Sequence, residues 1–114
     1  MLNLLPTVLI VCVTILMSIS SAFSGEITVS AAASLTNAFT ELKQAVEQKF
    51  PDMEVSLNFA ASTPLLQQIR AGAPVDVFAT ADQETMDHAQ EELLIVPESR
   101  VNFAANSLVA IVPV

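Results

Sequence analysis

Three short stretches place side chains where an anion could be held. "AAASLT" sets Ser34 behind three alanines, "FAASTP" sets Ser62 and Thr63 behind two, and "ATADQ" sets Asp82 ahead of a helical pattern. At each, a strand pattern gives way to a helical one. A helix start offers backbone N–H groups without partners and the positive end of the helix dipole. The first two stretches add hydroxyl donors and contain no acid and no bulky group. Ser34 and Ser62, with Thr63 as an additional donor, therefore describe an anion site built from neutral donors. The alanines let backbone approach a ligand closely. Ser, Thr and Asp are also ordinary helix N-caps, so any one corner alone reads first as a cap. Two acid-free corners on one sheet edge in an acidic chain add weight to the anion reading without displacing the cap.

Other chemistry has thinner support. Glu84, His88 and Glu92 stand four residues apart and could hold a metal, but charged residues at that spacing are the ordinary exposed face of a helix. Ser34 lacks the glycine-flanked elbow of a nucleophile, and the single histidine, His88, falls on a distant helix. No catalytic residue is expected. Asp76 interrupts an apolar run and reads as a hydrogen-bonded structural acid. Gly25 and Gly72 are the only glycines, so no phosphate loop or dinucleotide fingerprint exists and no cofactor is expected.

The elements that would position these corners alternate in type. Glu26–Ala33 reads as a strand. Leu35, Ala38, Phe39, Leu42, Ala45, Val46, Lys49 and Phe50 then recur at helical spacing until Pro51. Met53–Ala60 alternates as a strand. A short helix follows, with Thr63 as N-cap, Pro64 in the first position and Gly72 as its stop. Val75–Ala81 suits a parallel strand covered on both faces. Asp82 caps a third helix with Met86, Ala89 and Leu93 inward and Pro97 closing it. Ser107–Val112 supplies a fourth strand. Such alternation predicts an α/β fold, a mostly parallel sheet with flanking helices and right-handed crossovers. In such sheets ligands sit beyond the carboxyl ends of the strands, where all three corners fall.

Charge and the leader narrow the function. The chain carries 4 basic and 12 acidic side chains, a net charge of −8. That excludes a phosphate-backbone reader, so no nucleic acid is expected, and disfavours an anionic membrane surface. No charged side chain precedes Glu26. Residues 1–24 read as a signal peptide with cleavage between Ser24 and Gly25. The n-region lacks Lys and Arg, which keeps an uncleaved membrane anchor as the alternative. Cys12, the only cysteine, lies inside this run, so the exported chain would have neither disulfide nor thiol nucleophile. The final "SLVAIVPV" ends on an apolar strand pattern and suggests truncation.

"ITVSAAASLTNAF", "NFAASTPLLQQIRAGAPVDVFATADQETMD" and "NSLVAIVP" resemble, in order and in one register, the periplasmic molybdate-binding proteins of ABC transporters. The resemblance covers nearly all of residues 26–114. It implies a type II periplasmic binding fold of which this chain is the first lobe only. Residues 25–100 would form the N-terminal part of that lobe, and residues 101–114 a strand leading toward a second lobe. It further implies molybdate or tungstate as ligand, bound by Ser34 and Ser62 through hydroxyls and backbone N–H groups. Molybdenum would enter only as the oxyanion. A membrane permease would be the partner, the periplasm the location, and the full-length protein a monomer. Ala61 and Pro64 depart from the serine run common in the family, which bears on the backbone donors beside Ser62. Molybdate near neutral pH is a doubly charged tetrahedron that only accepts hydrogen bonds, so a cleft lined by donors suits it. Another oxyanion such as sulfate has the same bonding pattern and is the alternative ligand.

Overall fold

In a computed structural model of the chain, residues 25–113 are described. The leader and the cleavage position preceding Gly25 lie outside them. Strand β1 (Gly25–Ala32) runs into a 3-10 turn (Ala33–Leu35) and helix α1 (Thr36–Lys49). Strand β2 (Met53–Ala60) is followed by α2 (Ser62–Arg70), β3 (Val77–Ala79), α3 (Gln83–Glu91) and a second 3-10 turn (Pro97–Ser99). The strands form one parallel sheet in the order β2-β1-β3. The expected α/β architecture is present, with every pairing parallel among the described residues.

The central strand reads its two faces in alternation. Val29 and Ala31 point into a cluster with Val55 and Ala79, against which Leu35, Phe39 and Val46 pack from the first turn and α1. Ser30 points the other way. Asn58 Nδ2 reaches its hydroxyl at 3.5 Å and donates to Gln68 Oε1 of α2 at 2.8 Å. On α2, Leu65 and Leu66 are almost wholly buried, and Ala89 of α3 is fully so. Helix α1 thus covers one face of the sheet and α2 the other.

Chain direction at the helix ends is fixed by backbone chemistry. Helix α2 stops at Gly72, whose φ of 91° is open to glycine, with Gly72 N–H donating to Ile69 O and Ala73 N–H to Gln68 O. Helix α3 ends in the same motif: Leu93 N–H donates to Gln90 O and Leu94 N–H to Ala89 O. There the left-handed position is held by Leu93, at φ 57°.

Several expectations are corrected. The stripe of α1 is only partly buried, with Leu42 54% and Phe50 50% exposed. The helix is turned so that Lys43 and Glu47 face the edge of β2 instead. Thr63 is not the cap of α2. That place belongs to Ala61, with Ser62 in the first turn, because Pro64 needs no N–H anywhere in the first turn and so does not fix the start. Strand β3 is three residues long, not seven. It starts only after Asp76, whose N–H donates to Thr28 O while its carboxylate accepts Thr28 N–H at 2.8 Å. Leu93 is 83% exposed at its left-handed position, and buried Thr85 takes the place expected for it on the inner face. Pro97 opens the second 3-10 turn; α3 has already closed at Glu91. Ser107–Val112 forms no strand, because a strand exists only against a ladder partner, and Leu108, Val109, Ile111 and Val112 stand exposed.

Candidate functional site

The parallel ladder brings the three corners to one edge. Ala32, the last residue of β1, is paired with Ala60, the last of β2, and Ala31 with Ala79, the last of β3. Ser34 and Ser62 each lie two residues beyond that Ala32–Ala60 pair. Neighbouring strands are about 4.8 Å apart, so the two corners begin side by side.

The three helix starts differ in what fills them. Asp82 Oδ1 accepts Thr85 N–H at 2.7 Å, so α3 carries its own anion at its positive end. Burial opposes ionisation of Asp82. Hydrogen bonds from the Thr85 hydroxyl and N–H, and from the Ser62 hydroxyl, outweigh it and hold the carboxyl below the usual range. The turn at Ala33–Leu35 and the helix α2 have no side-chain cap and no acid in the first turn. Their first N–H groups remain for another acceptor. Pro64 has none to give, so Ser62 and Thr63 carry the backbone donors of α2.

The serines are not equivalent. Ser34 is exposed and lines a cleft of about 770 Å³ together with Phe39, Thr80, Asp82, Asn102 and Phe103. Ser62 is 8% exposed and does not line it. Its Oγ accepts the N–H of Ala81 at 3.1 Å, and Ala81 does line the cleft. Thr63 is exposed. The ladder therefore sets both corners at one sheet edge, while opening only the Ser34 hydroxyl to the cleft. The Ser62–Ala81 bond carried no signal in the sequence, because a main-chain donor has no letter.

The remaining candidates have other partners. Arg70 binds Glu92 through Nε at 2.6 Å and through Nη2, and His88 Nδ1 lies 3.6 Å from Glu91. The Glu84, His88 and Glu92 grouping is thereby taken apart, and no metal-binding cluster occurs among the described residues. Asp76 is the structural acid its position suggested, though exposed. The far wall of the cleft escaped the sequence reading. Arg100 donates to Gln90 and Gln83 and pairs with Asp87 at 2.6 Å, and Gln83 donates to Asn102 at 2.7 Å. Those bonds hold the segment so that Phe103 meets Phe39 edge-on, with ring centres 6.1 Å apart. No described helix is long and apolar enough to cross a membrane.

The family model for bacterial extracellular solute-binding proteins matches residues 27–114. The molybdate-binding protein ModA of Escherichia coli is 42% identical over 92 residues, covering 81% of this chain and 35% of that protein. The ModA of Haemophilus influenzae is 37% identical over 94 residues, covering 82% and 37%. A solved substrate-binding domain, assigned to a molybdenum ABC transporter of Clostridium difficile, superposes with a TM-score of 0.58 at 38% identity. That match covers 60% of this chain and 30% of the solved one. The chain spans about a third of the length of the curated relatives it matches. It belongs to the family of bacterial extracellular solute-binding proteins.

Proposed function

We propose that the protein of which this chain is part binds molybdate or tungstate as the substrate-binding component of an ABC importer. One observation carries the reading. Two neighbouring helix starts, beyond the paired residues Ala32 and Ala60, have neither cap nor acid, while the third start on the same edge is filled by Asp82. An oxyanion would take the two vacant positive ends. Ser34 would donate its exposed hydroxyl and the N–H groups of its turn. Ser62 would donate its N–H, with Thr63 beside it, and its hydroxyl on turning from Asp82. With no basic side chain in this set, selectivity would rest on donor geometry.

The named relatives support molybdate, and the family supports export. In this reading residues 1–24 are a cleaved signal peptide, and residues 25–100 belong to the first lobe. Residues 101–114 lead toward a second lobe that supplies the rest of the shell. The protein then works in the periplasm as a monomer that presents its ligand to a membrane permease, and performs no catalysis. Calorimetric titration of the full natural protein with molybdate, tungstate and sulfate tests this. Tight binding of the first two, weakened by Ser34→Ala, is expected. Equal or better binding of sulfate would assign another oxyanion, and no binding of any of them would remove the proposal.

A further inference from the structure

Among the described residues the sheet order leaves β2 at an edge, and an edge strand offers unpaired backbone groups to any other strand. Along a strand, alternate residues turn their N–H and C=O to the same side. Val55 turns both away from β1, since neither is bonded to that strand's ladder: its N–H donates to Glu47 Oε1 at 2.9 Å, and its C=O accepts Lys43 Nζ at 2.5 Å. Lys43 and Glu47 are themselves joined at 2.6 Å, one turn apart on α1. Two residues earlier, Met53 N–H is taken by Phe50 O in the turn before β2. The Met53 C=O and the outward groups of Leu57 and Phe59 have no described side chain bonded to them. The run of edge groups open to a newcomer is thus interrupted at Val55.

We propose that Lys43 and Glu47 form an edge clasp, which occupies both backbone groups of Val55 and so prevents β2 from pairing with β2 of a second copy of this chain. A second copy is the partner the clasp guards against. Two such edges can meet antiparallel about a twofold axis, each offering the same alternating apolar sequence, "MEVSLNFA". The geometry is specific to the strand edge. A surface ion pair needs only its partner, whereas here both heads are spent on one residue's main chain. Their placement also explains the orientation of α1, which turns these two residues, and not Leu42, toward the sheet.

The test is made on the full natural protein, with Lys43→Ala/Glu47→Ala compared with Glu47→Gln and Arg70→Ala/Glu92→Ala. Glu47→Gln keeps an acceptor for both donors. The last variant removes an ion pair of similar exposure that touches no strand edge. In the clasp variant, Val55 amide exchange should quicken about tenfold, the factor of one lost charge-assisted hydrogen bond. Sedimentation should then show dimers or larger assemblies in that variant alone. A freed Val55 amide without association would overturn the proposal, as would equal association in Arg70→Ala/Glu92→Ala. If the double variant does not fold, Glu47→Ala, which frees the Val55 amide, serves in its place under the same two outcomes.

Discussion

Ser62 Oγ accepts the backbone N–H of Ala81 at 3.1 Å, tying the first turn of α2 to the corner after β3. A serine oxygen has two lone pairs and one proton, so this bond fixes the rotor and leaves the proton to donate. Ser34 has no such tie. Replacing each by alanine should therefore separate stability from binding. Ser62→Ala removes the acceptor of the Ala81 N–H and should lower unfolding free energy by about 0.5–1.5 kcal/mol. Ser34→Ala should stay within about 0.5 kcal/mol of the parent, as exposed changes do. Both should weaken oxyanion binding, by roughly 10- to 100-fold for a lost charge-assisted bond. Urea unfolding and calorimetry on the same samples check this. A Ser62→Ala protein of unchanged stability would show that the Ala81 bond contributes nothing.

Leu93 holds a position that glycine fills at the end of α2. At φ 57° its Cβ crowds the neighbouring carbonyl, a cost of about 1–2 kcal/mol. Being 83% exposed, it recovers little by burial. Leu93→Gly should raise stability by up to about 1 kcal/mol, less the greater freedom of glycine in the unfolded chain. Thermal unfolding checks it, with Gly72→Leu as the converse. A loss of stability in Leu93→Gly would mean that the leucine side chain makes contacts outweighing the strain.

Leu65 is fully buried between sheet and helices, where the thin core has few atoms to spare. Leu65→Ala should cost about 2–5 kcal/mol by leaving a cavity. Leu42→Ala, one helix over, should cost far less, since that side chain is 54% exposed. Denaturant midpoints of the two variants decide whether the sheet-facing side of α2 or the apolar stripe of α1 holds the fold. A similar loss in both would show that Leu42 is covered in solution.

Where composition and spacing act locally, they were legible. Met53–Ala60 alternates cleanly and is a strand over that same span. Asp82 caps α3 and Gly72 stops α2, because caps and left-handed positions restrict residue type. The corners at Ser34 and Ser62 could be placed together because a parallel sheet puts all its carboxyl ends on one edge. What failed depends on partners distant in sequence. Val75–Ala81 is apolar enough for a long strand, yet Asp76 spends its side chain on Thr28 and shortens it. Ser107–Val112 has strand composition without a ladder to join. The α1 stripe predicted an inward Leu42, but the Val55 main chain draws Lys43 and Glu47 inward instead. The burial of Ser62 beneath Ala81 also lay beyond reach, since it turns on how two loops pack.

Acid should unfold the protein through three carboxylates. Glu47 is held below its usual range by Lys43 and by the Val55 N–H, and Glu92 by Arg70. Asp82 is lowered in spite of its burial, by Thr85 and Ser62. A carboxyl whose folded pKa lies below its unfolded value adds stability that is complete above the unfolded value. That stability drains away as pH falls through the folded one. The denaturation midpoint should therefore change little between about pH 7 and 5 on account of these groups, and fall below about pH 4, under the ordinary carboxylate values. Asp82→Asn keeps a good cap and removes the titration, so its stability should match the parent more closely at pH 3 than at pH 7. Glu47→Gln and Glu92→Gln should each flatten the same acid limb. These pairs are exposed, so salt should also shrink the effect. An acid limb of unchanged steepness in all three variants would mean that other carboxylates govern acid unfolding.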